Sequence, residues 1–236
     1  MTDLLYATDS YLKEFDAGVE RIDDGSNVIL DQTAFYPTGG GQPYDQGSLR
    51  WQSGETRVRA VRRAGSDVLH TVEGEAPPQG VTVHGVIDWT RRYQLMRTHT
   101  ALHALCGIVW REYGAHVTGG NFDLDGARMD FELDHMSAGF AEEIERKVNE
   151  ALEASIRVEI RTLPREEAFQ IPDLIRTKIN LLPPAISEIR VVDLVGLDLQ
   201  ADGGTHVANT REVGRVHVVG HESKGKINKR LRIKLE

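Results

Sequence analysis

Arg97-Thr98-His99-Thr100-Ala101-Leu102-His103-Ala104-Leu105 places two imidazoles four residues apart inside an apolar repeat of helical period. On a helix, residues i and i+4 share one face about 5–6 Å apart, so both rings can reach one metal ion. Leu95, Leu102, Cys106 and Val109 fall near the same stripe, Asp88 or Thr90 can cap the helix start, and Gly114 can end it. The histidines are therefore expected to face inward. Two hydrogen-bonded core histidines would give the same pattern, so a metal site needs a further ligand. Asp202-Gly203-Gly204-Thr205-His206 offers one, another imidazole with a carboxylate four residues before it and glycines that let the backbone turn tightly. His217 and His221 repeat the spacing, but Val216, Val218, Val219 and Gly220 around them read as strand. At about 3.3 Å per residue those two rings would stand about 13 Å apart, too far to share an ion.

Working outward, the periodicity changes at Asp88 and Trp89, which sets the expected domain boundary: residues 1–88, then residues 89–236. The first segment carries short β runs punctuated by glycine, at residues 28–30, 48–51, 56–61, 68–72 and 81–87, the pattern of a small antiparallel barrel or sandwich. Within it lies Phe35-Tyr36-Pro37-Thr38-Gly39-Gly40-Gly41-Gln42-Pro43-Tyr44-Asp45-Gln46-Gly47. Three successive glycines are entropically costly to order, which suggests that bare backbone must approach something closely. A wide hairpin loop would look the same. A phosphate cradle does not fit, since no Lys-Ser/Thr and no helix pattern follow.

The second segment reads as α+β, with helices covering one side of a mostly antiparallel sheet. Strand is expected at residues 121–124, 128–133, 158–162 and 189–194, and a short Pro-initiated helix at 164–169. A longer helix should follow Ser137, with Phe140, Ile144, Val148 and Leu152 at i+4 spacing. Residues 170–184, with Pro172, Pro183 and Pro184, read as an irregular loop.

With 236 residues, 40% of them hydrophobic, the chain can bury a real core. No apolar run is long enough to span a membrane, and Met1-Thr2-Asp3-Leu4 has neither a basic nor an apolar leader region, so a cytoplasmic protein is expected. The single cysteine, Cys106, excludes an internal disulfide and a Cys-rich zinc knuckle, leaving metal sites to His and carboxylates. A net charge of −8 argues against indiscriminate nucleic-acid binding, and no DNA partner is expected. One local patch runs the other way: residues 224–235 hold six basic residues and no acidic one, with Arg230, Arg232 and Lys234 alternating against Leu231, Ile233 and Leu235. That alternation gives a strand with one basic face, suited to phosphates or to protecting a sheet edge.

A zinc ion held by His99, His103 and His206, with Asp202 or water completing the shell, would lower the pKa of bound water towards about 7 and polarise a carbonyl, so hydrolysis is the natural reaction. A zincin peptidase is disfavoured because Thr100 stands where its H-E-x-x-H pattern needs a glutamate base. Structural zinc sites are usually Cys-rich and closed, unlike three His and a carboxylate.

The glycine-rich stretch of residues 35–47, then Asp88-Trp89-x-Arg91-Arg92, His99-Thr100-Ala101-x-His103, and Gly203-Gly204-Thr205-His206-Val207-x-x-Thr210-x-x-Val213-Gly214, together resemble the editing region of alanyl-tRNA synthetase. They are most similar to its freestanding relatives, the AlaX editing proteins, and the N-terminal glycine-rich domain, with no C-terminal extension expected after Glu236, resembles the medium-length type. The resemblance implies a small β-barrel followed by an α+β editing domain, and hydrolysis in trans of serine or glycine wrongly attached to tRNA(Ala). His99, His103 and His206 match the family's zinc ligands. Asp202 stands where the family usually has Cys, and a harder carboxylate selects zinc less strongly over other divalent ions. Thr38, Gly39, Gly40, Gly41, Gln42 and Thr205 are expected to line the substrate site, Arg230, Arg232 and Lys234 to meet phosphates, and the protein to act as a monomer. Two alternatives stay open: a catalytically silent aminoacyl-tRNA or RNA-binding module, and an editor of a threonyl-tRNA-type substrate.

Overall fold

In the computed structural model, residues 1–134, 139–179, 182, 186–225 and 227–236 are described. The chain divides into two compact units, Met1–Gln94 and Leu95–Glu236.

The first unit is built on eight strands: β1 (Asp3–Leu4), β2 (Glu14–Asp23), β3 (Asn27–Leu30), β4 (Gln32–Thr33), β5 (Gly47–Trp51), β6 (Gly54–Ala64), β7 (Asp67–Glu73) and β8 (Thr82–Ile87). Six of them close an all-antiparallel barrel in the order β2-β3-β7-β6-β5-β8, while β1 and β4 form a short parallel pair. Closure leaves the barrel no open sheet edge. Alternation fills it: Phe15, Ala17 and Val19 from β2, Val58 and Val61 from β6, and Val83 and Ile87 from β8 all point into one core. Five of the barrel strands match the apolar runs in the sequence. The sixth, β2, was not expected, because its buried Phe15, Ala17 and Val19 alternate with Glu14, Asp16, Gly18 and Glu20 and give no continuous apolar signal.

Helix α1 (Trp89–Tyr113) follows. Asp88 caps it, its Oδ1 accepting the Arg91 N–H at 3.1 Å, and Gly114 ends it at a φ of 62°, its N–H bonded to the Trp110 carbonyl. The sequence suggested one inward stripe. Instead every residue from Thr98 to Val109 is buried, so this helix is a central rod rather than a surface one.

Around α1, the second unit carries β9 (Val117–Phe122), β10 (Ala127–Glu132), α2 (Phe140–Glu153), β11 (Val158–Pro164), α3 (Arg165–Ala168), β12 (Glu188–Leu194), β13 (Asp198–Ala201), β14 (Val216–Ser223) and β15 (Asn228–Leu235). Two antiparallel sheets result, ordered β14-β15-β10-β9 and β11-β12-β13. The sequence indicated a single sheet and did not register β13, a strand of four residues only. Helix α2 buries Phe140, Ile144, Val148 and Leu152 as its spacing predicts, and Asn149 fastens it to β14 by exchanging two hydrogen bonds with the Val216 backbone. Ser137, the residue before that helix in the sequence reading, lies outside the described residues, as do Pro183 and Pro184 of the proline-rich stretch. At the other end of α2, Thr210 donates to the Leu152 carbonyl. The fold is thus a closed β-barrel unit followed by an α+β unit.

Candidate metal centre

His99 and His103 stand one turn apart on α1, their ring centroids 5.2 Å apart. The turn after β13 brings His206 against both, 4.2 Å from His99 in a stacked arrangement and 4.7 Å from His103 edge to face. Asp202, four residues earlier in that turn, places Oδ2 3.1 Å from His206 Nε2 and Oδ1 3.6 Å from His99 Nε2. One donor atom from each of these four residues lies within 4.8 Å of all the others.

What separates this group from four packed core residues is the second nitrogen of each ring. Thr100 Oγ1 sits 3.1 Å from His206 Nδ1 while accepting the Val207 N–H. Asp198 Oδ2 sits 3.0 Å from His103 Nδ1. His99 is tied to the Thr205 backbone. Each imidazole therefore has a protein group against one edge and the other edge turned to a shared point, the arrangement by which metal-binding histidines are usually oriented. Asp198 stands at ion-pair distance from His103 rather than in a hydrogen bond. At zinc–nitrogen bonds of about 2.0–2.1 Å, tetrahedral donors sit roughly 3.4 Å from one another, so small side-chain shifts would close this set on an ion. The donor set fits zinc.

The electrostatics agree with that fit. Burial lowers the His99 pKa to about 4 despite the opposing pull of Asp202, and burial followed by the charge of His99 holds His206 well below its ordinary value. Burial alone would push the Asp202 carboxyl up, but the surrounding histidines, His99 first, outweigh it and hold the group well below the usual range. At neutral pH His99 and His206 are thus neutral imidazoles facing an ionised carboxylate, the state a divalent cation requires. His103 is shifted up, its burial outweighed by Asp198.

Asp202 is also held at its backbone. Gly204 donates its N–H to Oδ2 at 2.7 Å, and Arg190 Nη1 donates to the Asp202 carbonyl at 2.9 Å. Phe122 lays its ring 4.9 Å from that of His99. Phe122 also lines a groove of about 290 Å³ on the larger sheet, together with Asp123, Asp125, Arg128, Arg232 and Lys234.

The remaining predicted residues fall as follows. Thr205 is fully buried. Arg232 and Lys234 line the groove, Arg232 giving a hydrogen bond of 2.8 Å to Glu222, and Arg230 gives two hydrogen bonds of 2.6 and 2.7 Å to the Asp130 carboxylate. Thr38, Gly39, Gly40, Gly41 and Gln42 belong to the first unit. Gly40 and Gly41 have φ values of 56° and 84°, and a Cβ built at Gly40 meets nothing within 4 Å. The demand for glycine at position 40 is therefore conformational rather than one of close approach. The loop closes through Gly39–Gln42 backbone pairing and a hydrogen bond from Tyr36 Oη to the Gly39 carbonyl.

Thr100, Asp198, Arg190 and Phe122 were not singled out in the sequence as parts of a site. Nothing in their spacing could have done so, since three of the four come from strands and turns more than twenty residues away from any motif residue they touch except Asp202.

A model of class II (A) tRNA synthetases matches residues 7–91, and a model of the threonyl and alanyl tRNA synthetase second additional domain matches residues 189–232. Both units thus have counterparts in synthetase architecture. An alanyl-tRNA editing protein AlaX-M of Methanosarcina barkeri is 38% identical over 237 residues, covering 98% of each chain, and one of Saccharolobus solfataricus is 41% identical over 234 residues at the same coverage. An alanine–tRNA ligase of Pyrobaculum aerophilum is 42% identical over 223 residues, which is 91% of this chain and 25% of the ligase. The chain belongs to the AlaX-M family of alanyl-tRNA editing proteins.

Proposed function

We propose that this protein is a zinc-dependent aminoacyl-tRNA deacylase that removes serine or glycine wrongly esterified to tRNA(Ala). The observation that carries the reading is the cluster of three buried imidazoles facing Asp202, each ring fixed at its far edge, in a chain whose full-length relatives bear the name of alanyl-tRNA editing proteins. His99, His103 and His206 would hold the metal, with Asp202 or water completing the shell. When bound, zinc supplies a water of near-neutral pKa and polarises the ester carbonyl. Asp202 Oδ2 is held by the Gly204 N–H, so Oδ1 is the oxygen left to meet the ion or to receive the proton of an attacking water. The buried walls of the cluster keep bulk water from competing.

The groove beside Phe122 suits the approach of a phosphate backbone. Arg128 and Arg232 lie directly opposite each other in the β10–β15 register, Arg128 3.4 Å from Asp130 and Arg232 giving a 2.8 Å hydrogen bond to Glu222, so a phosphate would have to compete with these carboxylates. Arg128, Arg232 and Lys234 are the phosphate contacts, and Arg230 braces the sheet through Asp130. The triple-glycine loop, with Thr38 and Gln42, and Thr205 are assigned to the small amino acid and the tRNA end on the strength of their motifs.

Incubation with seryl-, glycyl- and alanyl-tRNA(Ala) tests the reading. Selective loss of the first two esters, abolished by a chelator and restored by zinc, is the expected result. Inertness towards all three overturns it, and tight tRNA binding without turnover would assign the chain to a silent binding module.

A further inference from the structure

Asp198 is a charged group that touches a ligand histidine from outside the cluster. Its Oδ2 lies 3.0 Å from His103 Nδ1 and accepts a hydrogen bond of 2.6 Å from Gln200 Nε2. Its other oxygen, Oδ1, lies 3.6 Å from Arg176 Nε and makes no hydrogen bond among the described residues. The carboxylate itself is fully buried, and the Arg176 guanidinium is anchored over the Trp110 ring at 4.5 Å. A buried carboxylate with a cation on one side and an imidazole on the other is expensive to maintain unless it does something for the imidazole.

The backbone is shaped to permit this contact. Gly107 lies one turn beyond His103 on α1, and a Cβ there would stand 2.7 Å from the Leu197 carbonyl oxygen and 2.9 Å from Asp198 Cβ. Only a residue without a side chain lets β13 approach α1 closely enough for Asp198 to reach His103.

We propose that Asp198 is a positioning residue of the metal centre: it holds the proton of His103 on Nδ1, presents Nε2 to the metal, and strengthens that nitrogen as a donor through its negative charge. The inference rests on the metal-site reading above. A carboxylate behind a ligand imidazole fixes both its tautomer and its orientation, and loss of such a partner typically costs about 10–100-fold in metal affinity. Thr100 and the Thr205 backbone serve His206 and His99 without charge, so Asp198 contributes most to affinity among the three.

The test uses full-length, metal-free protein titrated with zinc against a chromophoric chelator. Asp198→Ala is expected to weaken zinc binding by about 10–100-fold, and the near-isosteric Asp198→Asn by about tenfold, because the amide still accepts the Nδ1 proton but carries no charge. Should the alanine variant fail to fold, the asparagine variant decides. ¹⁵N shifts of the metal-free wild type should show His103 protonated on Nδ1, and Asp198→Asn should retain that tautomer. Zinc binding unchanged in both variants, or a His103 protonated on Nε2 in the wild type, overturns the proposal. A wild type that binds no zinc refutes the metal-site reading and this inference with it, whereas a zinc-binding wild type with indifferent variants refutes this inference alone.

Discussion

Replacing Arg92 by leucine should cost the first unit about 3–5 kcal/mol, the toll of leaving a buried partner charge uncompensated. Arg92 and Asp45 are both fully buried. The guanidinium meets the carboxylate through Nε at 3.1 and 3.0 Å and through Nη2, and it also donates to the Ser10 carbonyl at 2.9 Å and to the Ala34 carbonyl. Asp45 in turn accepts the Tyr36 N–H at 2.6 Å, so one ion pair fastens the start of α1 to both ends of the triple-glycine loop. Removing the arginine strands the carboxylate and leaves two carbonyls without a donor, each worth about 1 kcal/mol more. Against a total stability on the order of 5–15 kcal/mol, that is enough to populate a partly unfolded first unit. Urea denaturation of Arg92→Leu, Asp45→Leu and the double variant measures it. The double variant should lose well under the sum of the singles, because neither charge is then stranded. Singles that cost less than about 1 kcal/mol, or that simply add, would refute the reasoning.

Asp202→Cys should tighten zinc binding and Asp202→Ala weaken it, read by chelator competition; if alanine lowers turnover while metal content stays constant, Asp202 acts on water rather than on the ion. His70, buried in the barrel between the Val28 carbonyl at 3.0 Å and Thr33 Oγ1 at 2.8 Å, has its pKa lowered to about 4 by burial. Because its folded value lies below the unfolded one of about 6.5, acidification through that window protonates only the unfolded chain, and stability should fall by up to roughly 3 kcal/mol; His70→Gln should flatten that slope in urea melts at successive pH values. Charge reversal at Arg232 or Lys234 should weaken tRNA binding and lower its salt slope by about one per site, while Arg230→Gln should act mainly on stability, both read from binding isotherms at graded salt. Gly40→Asn, tolerable at a positive φ, should leave the melting temperature nearly unchanged and slow deacylation if the loop meets the amino acid; an unchanged rate would return the loop to a purely conformational role.

The barrel was legible where its strands are apolar runs and hidden where they are not. Val28, Val58 and Val83 announce their strands, whereas β2 buries only every second residue and spends the rest on charges. Helix α1 could be read from His99 and His103, but its burial on all sides could not, because Thr98, Thr100 and Ala104 look like a solvated or neutral face until neighbours cover them. The four donors were visible because two short local spacings encode them. The groups that orient them were not, because Asp198 reaches His103 only through the close approach at Gly107, and Thr100 reaches His206 across more than a hundred residues of chain. The partner of Arg230 was hidden for the same reason: alternation gives the face it occupies, and only the β10 register shows that Asp130 stands across from it.

The donors His103 and His206 are separated by about a hundred residues, and closing a loop of that length is one of the slower and more entropically demanding steps available to a chain. Helix α1 can form on local contacts alone, whereas the turn carrying Asp202 and His206 has no place to settle until β12 and β13 have paired. A metal ion seated on both would therefore act as a removable cross-link between parts of the second unit about a hundred residues apart. Its occupancy would stabilise the folded state in proportion to the logarithm of free metal, so the lifetime of the second unit, and not only its chemistry, would become a readout of how much metal its surroundings supply.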